Sequence, residues 1–108
     1  EYHRRVELDY MLEVVTGVLV RHELYVARFY LKRDEYPPAI ERVRFALDRY
    51  KGSGLEAEAV TLMGETYLKM KDQAQARAAF ERVLSEYPGS PFAVPARQFL
   101  ARFEALPK

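Results

Sequence analysis

Apolar residues recur along this chain in steps of three and four. From Leu8 they fall at Met11, Leu12, Val15, Val18 and Leu19, then at Tyr25, Val26 and Phe29, with His22 on the same line. That spacing marks one face of a helix, whereas a strand would alternate with a period of two. No proline interrupts residues 1–36, so the pattern predicts one long helix from about Arg4 to Arg33. Gly17 is its weak point and the place for a bend or break, since glycine costs about 1 kcal/mol relative to alanine inside a helix. Val14, Val15, Val18 and Val20 favour a strand by propensity, but the charged, helix-favouring flanks outweigh them.

Four shorter helices follow. The second starts after a turn at Asp34–Glu35, with Pro37 and Pro38 in its first turn, where a missing N–H removes nothing the helix uses. It runs through Ala39, Ile40, Val43, Ala46 and Leu47 to Tyr50, and Lys51-Gly52-Ser53-Gly54 stops it. The third, about Glu56 to Met70, carries Val60, Met63, Tyr67 and Leu68 on one side; the fourth, about Ala74 to Tyr87, carries Ala76, Ala79, Phe80, Val83 and Leu84. Pro88-Gly89-Ser90-Pro91 ends it. The last helix has Ser90 as cap and a buried stripe of Phe92, Ala96, Phe99, Leu100, Phe103 and Leu106, and Pro95 in its first turn sets the regular part near Ala93.

The chain also repeats. Shifted by 37 positions, Ala27 falls on Gly64, Tyr30 on Tyr67, Lys32 on Lys69, Ala39 on Ala76, Val43 on Phe80, Leu47 on Leu84 and Tyr50 on Tyr87. Small residues at 27/64 and 39/76 let the two helices of a hairpin approach closely. The tyrosines fill the wedge between hairpins and close each hairpin before the next begins. A small residue, Tyr three later, Ala nine later and a large apolar residue four later resembles the tetratricopeptide repeat. The expected fold is therefore all-α: tandem tetratricopeptide-like hairpins forming an α-solenoid, with a long N-terminal helix and a C-terminal capping helix. As one helical-repeat domain, 1–19 is the first part of the long helix, 20–53 and 57–90 are the repeats, and 91–106 is the cap. The period exceeds that repeat's 34 by three, an excess assigned to the Lys51–Leu55 connection.

Composition narrows the function classes. The net charge is +1, from 17 basic and 16 acidic side chains, without the basic excess of a nucleic-acid binder. There is no cysteine, hence no disulfide, thiolate metal site or cysteine nucleophile. No apolar run approaches the ~20 residues of a membrane span. His3 and His22 are far apart, and His22-Glu23 has Val26 where a zinc-protease motif needs its second histidine. Gly52-Ser53-Gly54 has neither the third glycine nor the preceding strand of a phosphate loop. Neither catalytic chemistry nor a cofactor is expected.

Binding residues are sought where such repeats expose them. The first helix of each unit lines the concave face, which assigns Arg21, Leu24, Arg28, Leu31 and Lys32 in one unit and Glu58, Thr61, Glu65, Leu68 and Lys69 in the next. On the second helix, Arg42, Arg44 and Arg49 form a basic cluster suited to carboxylates at an interface. The partner-binding candidates are Arg42, Arg49, Arg44, Arg28, Lys32, Leu24, Glu65 and Lys69; a peptide tail in the concave groove is the alternative to a folded partner.

The run from His22 to Arg33, His-Glu-Leu-Tyr-Val-Ala-Arg-Phe-Tyr-Leu-Lys-Arg, followed by Tyr36, Ala39-Ile40-Glu41-Arg42 and Tyr50, resembles the carboxy-terminal half of the BamD-type outer-membrane assembly lipoproteins. The resemblance implies a periplasmic scaffold on the inner face of the outer membrane, in the complex that folds and inserts β-barrel proteins. It also implies docking on a POTRA domain of the barrel-bearing subunit, and in some lineages on accessory lipoproteins. Arg42 occupies the family's arginine on the second helix, and the amino-terminal repeats and lipid-attached cysteine are expected upstream of Glu1. Gly17, the Lys51–Gly54 loop and the extended final helix depart from the family pattern.

Overall fold

The structure, a computed structural model, describes residues 2–105. It contains α1 (Tyr2–Lys32), α2 (Tyr36–Arg49), α3 (Glu56–Lys69), α4 (Gln73–Glu86) and α5 (Ala93–Ala105), with no strand among the described residues. α1 runs unbroken through Gly17 and starts two residues earlier than its pattern predicts. Each helix packs on its neighbour in sequence, giving the all-α, tetratricopeptide-like stack that the repeat predicts. The molecule measures 61 × 30 × 17 Å. Its long dimension reflects α1, since 31 helical residues span about 46 Å.

The 37-residue period extends to backbone detail. α1 and α3 end in the same Schellman arrangement: Glu35 N–H bonds the Tyr30 carbonyl at 2.9 Å and Asp72 N–H bonds the Tyr67 carbonyl at 2.9 Å. Both use a non-glycine residue in the left-handed region, Asp34 at φ 60° and Lys71 at φ 62°. α2 and α4 close alike, Tyr50 N–H on the Ala46 carbonyl and Tyr87 N–H on the Val83 carbonyl. α5 starts one period after α3 and so takes the place of the first helix of a further unit. Phe99 of α5 stacks on Phe80 of α4, ring centroids 4.7 Å apart and planes within 10°, covering the open end of the core. Leu106, predicted on this helix's stripe, lies outside the described residues.

The connection between the units is built locally. Gly52 and Gly54 have φ of 79° and 82°, which side chains resist. Ser53 donates its hydroxyl to the Glu56 carboxylate at 2.9 Å and accepts Leu55 N–H at 3.1 Å, and Glu56 also accepts Gly54 N–H at 3.2 Å. This reciprocal arrangement, akin to a capping box, supplies partners at the start of α3.

One expectation changes. The α1 face that meets the rest of the molecule is Val20, Glu23, Leu24 and Ala27, not the longer apolar line through Leu8, Val15, His22 and Phe29. Residues 2–15 are all exposed, and Tyr25 is 70% exposed. The physical reason is close packing: Ala27 is 0% and Ala39 1% exposed, and these small side chains let α1 and α2 approach more closely than bulky ones allow.

Candidate partner-binding surface

The eight residues singled out from sequence separate into three groups. Leu24 is the clear correction: it is 1% exposed and belongs to the core cluster, so no partner reaches it. Thr61, assigned to the same face, is also buried, its hydroxyl donating to the Ala57 carbonyl at 2.8 Å. Both positions are closed off by packing and form no open groove. Arg28 of α1 reaches Glu58 of α3 at 3.7 Å.

The arginines of α2 do not form one cluster. Arg42 and Arg49 are seven residues apart, two helical turns, and share a face; Arg44 is rotated about 160° from Arg42. Arg42 lies 3.2 Å from the carboxylate of Glu23, whose side chain is 11% exposed, and so ties α2 to α1. Arg44 donates to the Tyr67 hydroxyl at 2.8 Å and ties α2 to α3. Arg44 and Tyr67 belong to a cleft of about 350 Å³ bordered by Asp48, Val60 and Arg82. Arg49, Lys32, Glu65 and Lys69 are exposed and make no ion pair among the described residues.

Two residues matter that the apolar pattern and the repeat do not pick out. Glu23 is a carboxylate buried to 9% exposure, compensated by Arg42. Phe45 is 46% exposed and sits off the apolar line of α2, between Arg42 and Arg49 on the outward face. With Tyr30, Pro38, Glu41 and Arg42 it lines a shallow notch of about 340 Å³ between α1 and α2. A signal for Phe45 exists in the chain: Ala39, Ile40, Val43, Ala46 and Leu47 already define the core face, which leaves Phe45 pointing away from it. An exposed aromatic flanked by arginines has the composition that dominates protein interfaces.

Among the described residues no cluster of three or more histidine, cysteine or carboxylate side chains is arranged to hold a metal ion. His22 is exposed on α1. Chemically, the surface offers charged and aromatic contacts for another macromolecule.

Comparison with known proteins gives a consistent picture. Residues 2–79 match the family model YfiO, described as outer membrane lipoprotein. Over 56 residues the chain is 41% identical to the outer membrane protein assembly factor BamD of Pasteurella multocida (strain Pm70). That alignment covers 52% of this chain and 22% of the relative's length. No solved structure matches the chain with significance.

Proposed function

This chain belongs to the YfiO family of outer membrane lipoproteins, and from that premise we propose that it is a non-catalytic scaffold of the machinery assembling β-barrel proteins in the outer membrane. In this reading it works on the periplasmic, inner face of that membrane. Any anchoring comes through lipid attached outside these residues; no described helix is long and apolar enough to cross a membrane. Its partner is a folded periplasmic POTRA domain of the barrel-bearing subunit, with accessory lipoproteins as further partners. Balanced charge, +1 overall, argues against nucleic acid.

The observation that carries the docking reading is the outward face of α2, where Phe45 stands exposed between Arg42 and Arg49. A folded domain can cover such a convex face, whereas a peptide tail needs a groove. On the first-helix side, Leu24 and Thr61 are buried and Arg28 pairs with Glu58, so those positions are closed to a peptide.

The test is calorimetric titration of the full chain with the purified POTRA array from the same source. Phe45→Ala and Arg49→Glu are each expected to weaken binding at least tenfold, about 1.4 kcal/mol. Arg42 is unsuitable as the probe, because its loss strips Glu23 of its counter-charge and disturbs the hairpin itself. Absence of binding by a folded chain would sink the POTRA reading. Tight binding of a short peptide, indifferent to both substitutions, would favour an adaptor instead.

A further inference from the structure

The Arg44–Tyr67 bond stands at one end of the cleft that runs between α2 and α4 over α3. Both walls and the floor belong to the described residues: Leu47 and Asp48 on α2, Val60 and Met63 on α3, Ala78 and Arg82 on α4. The volume, about 350 Å³, falls in the ~300–1,000 Å³ range of ligand sites. A second hollow of about 400 Å³ shares Leu47 and Arg82 with it and carries the cleft on past Lys51 and Tyr87. The space is therefore elongated along both helices. The 37-residue repeat accounts for its room. In the notch beside α1, Glu41 and Arg42 occupy the positions that Ala78 and Ala79 hold in this cleft. Two alanines in place of two long charged side chains open the α4 wall.

The polar groups at the Arg44 end are donors. Tyr67 is 6% exposed. Its hydroxyl oxygen accepts from Arg44 at 2.8 Å, while its own proton has no acceptor among the described residues. Arg44 makes no ion pair among those residues, so most of its N–H donors are unused. Gln75 adds an exposed amide beside them. Farther along, Arg82 commits its Nε to Glu86 at 2.8 Å. Asp48 is the carboxylate that lines this hollow; it lies one turn along α2 from Arg44 and pairs with neither arginine. A buried hydroxyl and a guanidinium facing one space suit a carboxylate, which accepts at both oxygens and takes charge-assisted bonds from arginine.

We propose that this cleft binds an extended segment of a partner protein in which an acidic side chain is flanked by apolar ones. The carboxylate lies between Arg44 and the Tyr67 hydroxyl, and its apolar neighbours rest on Leu47 and Met63. The length of the cleft favours a chain segment over a compact small molecule. Arg44 is rotated about 160° from Arg42, so this surface is separate from the outward face around Phe45. Contacts this few give an affinity on the order of millimolar. The segment therefore adds to docking elsewhere on the chain and does not replace it.

Nuclear magnetic resonance of the isotope-labelled full chain tests this, with the end-capped peptide Ser-Leu-Glu-Leu-Ser as probe and Ser-Leu-Gln-Leu-Ser as its uncharged counterpart. Saturable shifts of the Arg44, Met63 and Tyr67 signals are expected with the glutamate peptide, which should bind at least tenfold more tightly than the glutamine one. Arg44 is exposed, so Arg44→Gln should leave circular dichroism unchanged while erasing that preference. Tyr67→Phe should weaken the glutamate peptide several-fold. Asp48→Asn, another exposed position, removes a like charge and should tighten the glutamate peptide alone, an effect that a merely structural Arg44–Tyr67 tie would not produce. Equal affinity for the two peptides would overturn carboxylate recognition. Shifts confined to other surfaces, or none at about 10 mM peptide, would overturn the site itself.

Discussion

At position 64 a single hydrogen atom decides whether α3 and α4 fit. A Cβ on Gly64 would stand 2.9–3.2 Å from three atoms of the Phe80 ring, and Phe80 is 0% exposed. One period earlier the corresponding residues are Ala27 and Val43, both 0% exposed. The two hairpins thus divide a similar space differently, methyl with isopropyl in one and hydrogen with phenyl in the other. Gly64→Ala is expected to destabilise by about 1–2 kcal/mol, overpacking exceeding the gain in helix propensity. Adding Phe80→Val should recover part of the loss that the two single changes would sum to, which a double-mutant cycle by chemical denaturation measures. Additivity would show that the ring does not rest on Gly64. Another residue-scale contact is electrostatic. The Tyr36 hydroxyl donates to Asp34 at 3.0 Å, and this bond, with smaller contributions from desolvation and the carboxylate's charge, raises the Tyr36 pKa above 10.0. A raised folded-state value means the bond supports the fold below the ordinary tyrosine pKa and loses that effect as pH rises through the folded one. Asp34→Asn should bring Tyr36 ionisation down in a tyrosinate absorbance titration; an unchanged curve would contradict the bond.

At the scale of the element, helix ends rather than middles distinguish the units. α1 and α3 both finish on a left-handed non-glycine residue, and only Asp34 has a neighbour that uses its side chain. Lys71 is exposed and makes no ion pair or side-chain hydrogen bond among the described residues. Lys71→Gly should therefore raise stability by up to about 1 kcal/mol, relief of the positive φ outweighing the added freedom of the unfolded chain. Asp34→Gly should gain less, because the same change removes the acceptor for Tyr36. Equal gains in thermal melts would mean the Tyr36 bond adds nothing. Gly17 is the converse case: it sits in an ordinary helix interior, and a methyl group added there would meet no packed neighbour within 4 Å. Alanine at this position is expected to stabilise α1 by up to about 1 kcal/mol.

Across the whole molecule, burial is graded. Nine of the 14 residues of α3 are buried, against four of the 31 in α1, because α3 packs on both α2 and α4 while the start of α1 meets no other helix among the described residues. Amide exchange in residues 2–105 taken alone should be slowest in α3 and α4 and fast in residues 6–18. Opening free energy follows how much buried packing each segment must break. Uniform protection along α1 would contradict the graded stability. The same gradient separates what was readable in the candidate surface from what was not. Arg42, Arg44 and Arg49 were visible as arginines on one helix, but only the packing of α1 and α3 on either side sends Arg42 to Glu23 and Arg44 to Tyr67 and leaves Arg49 without an ion pair among the described residues.

Local spacing, caps and turn residues carried in the chain were enough to define the helices, their ends to within one or two residues, the 37-residue period and the family. Packing between helices chose which of two apolar lines on α1 enters the core. Periodicity marks both as helix faces, and only the close approach allowed by Ala27 and Ala39 selects one. Packing also turned Leu24 from an expected contact into core and Glu23 into a buried, paired carboxylate, since burial depends on what a second helix covers.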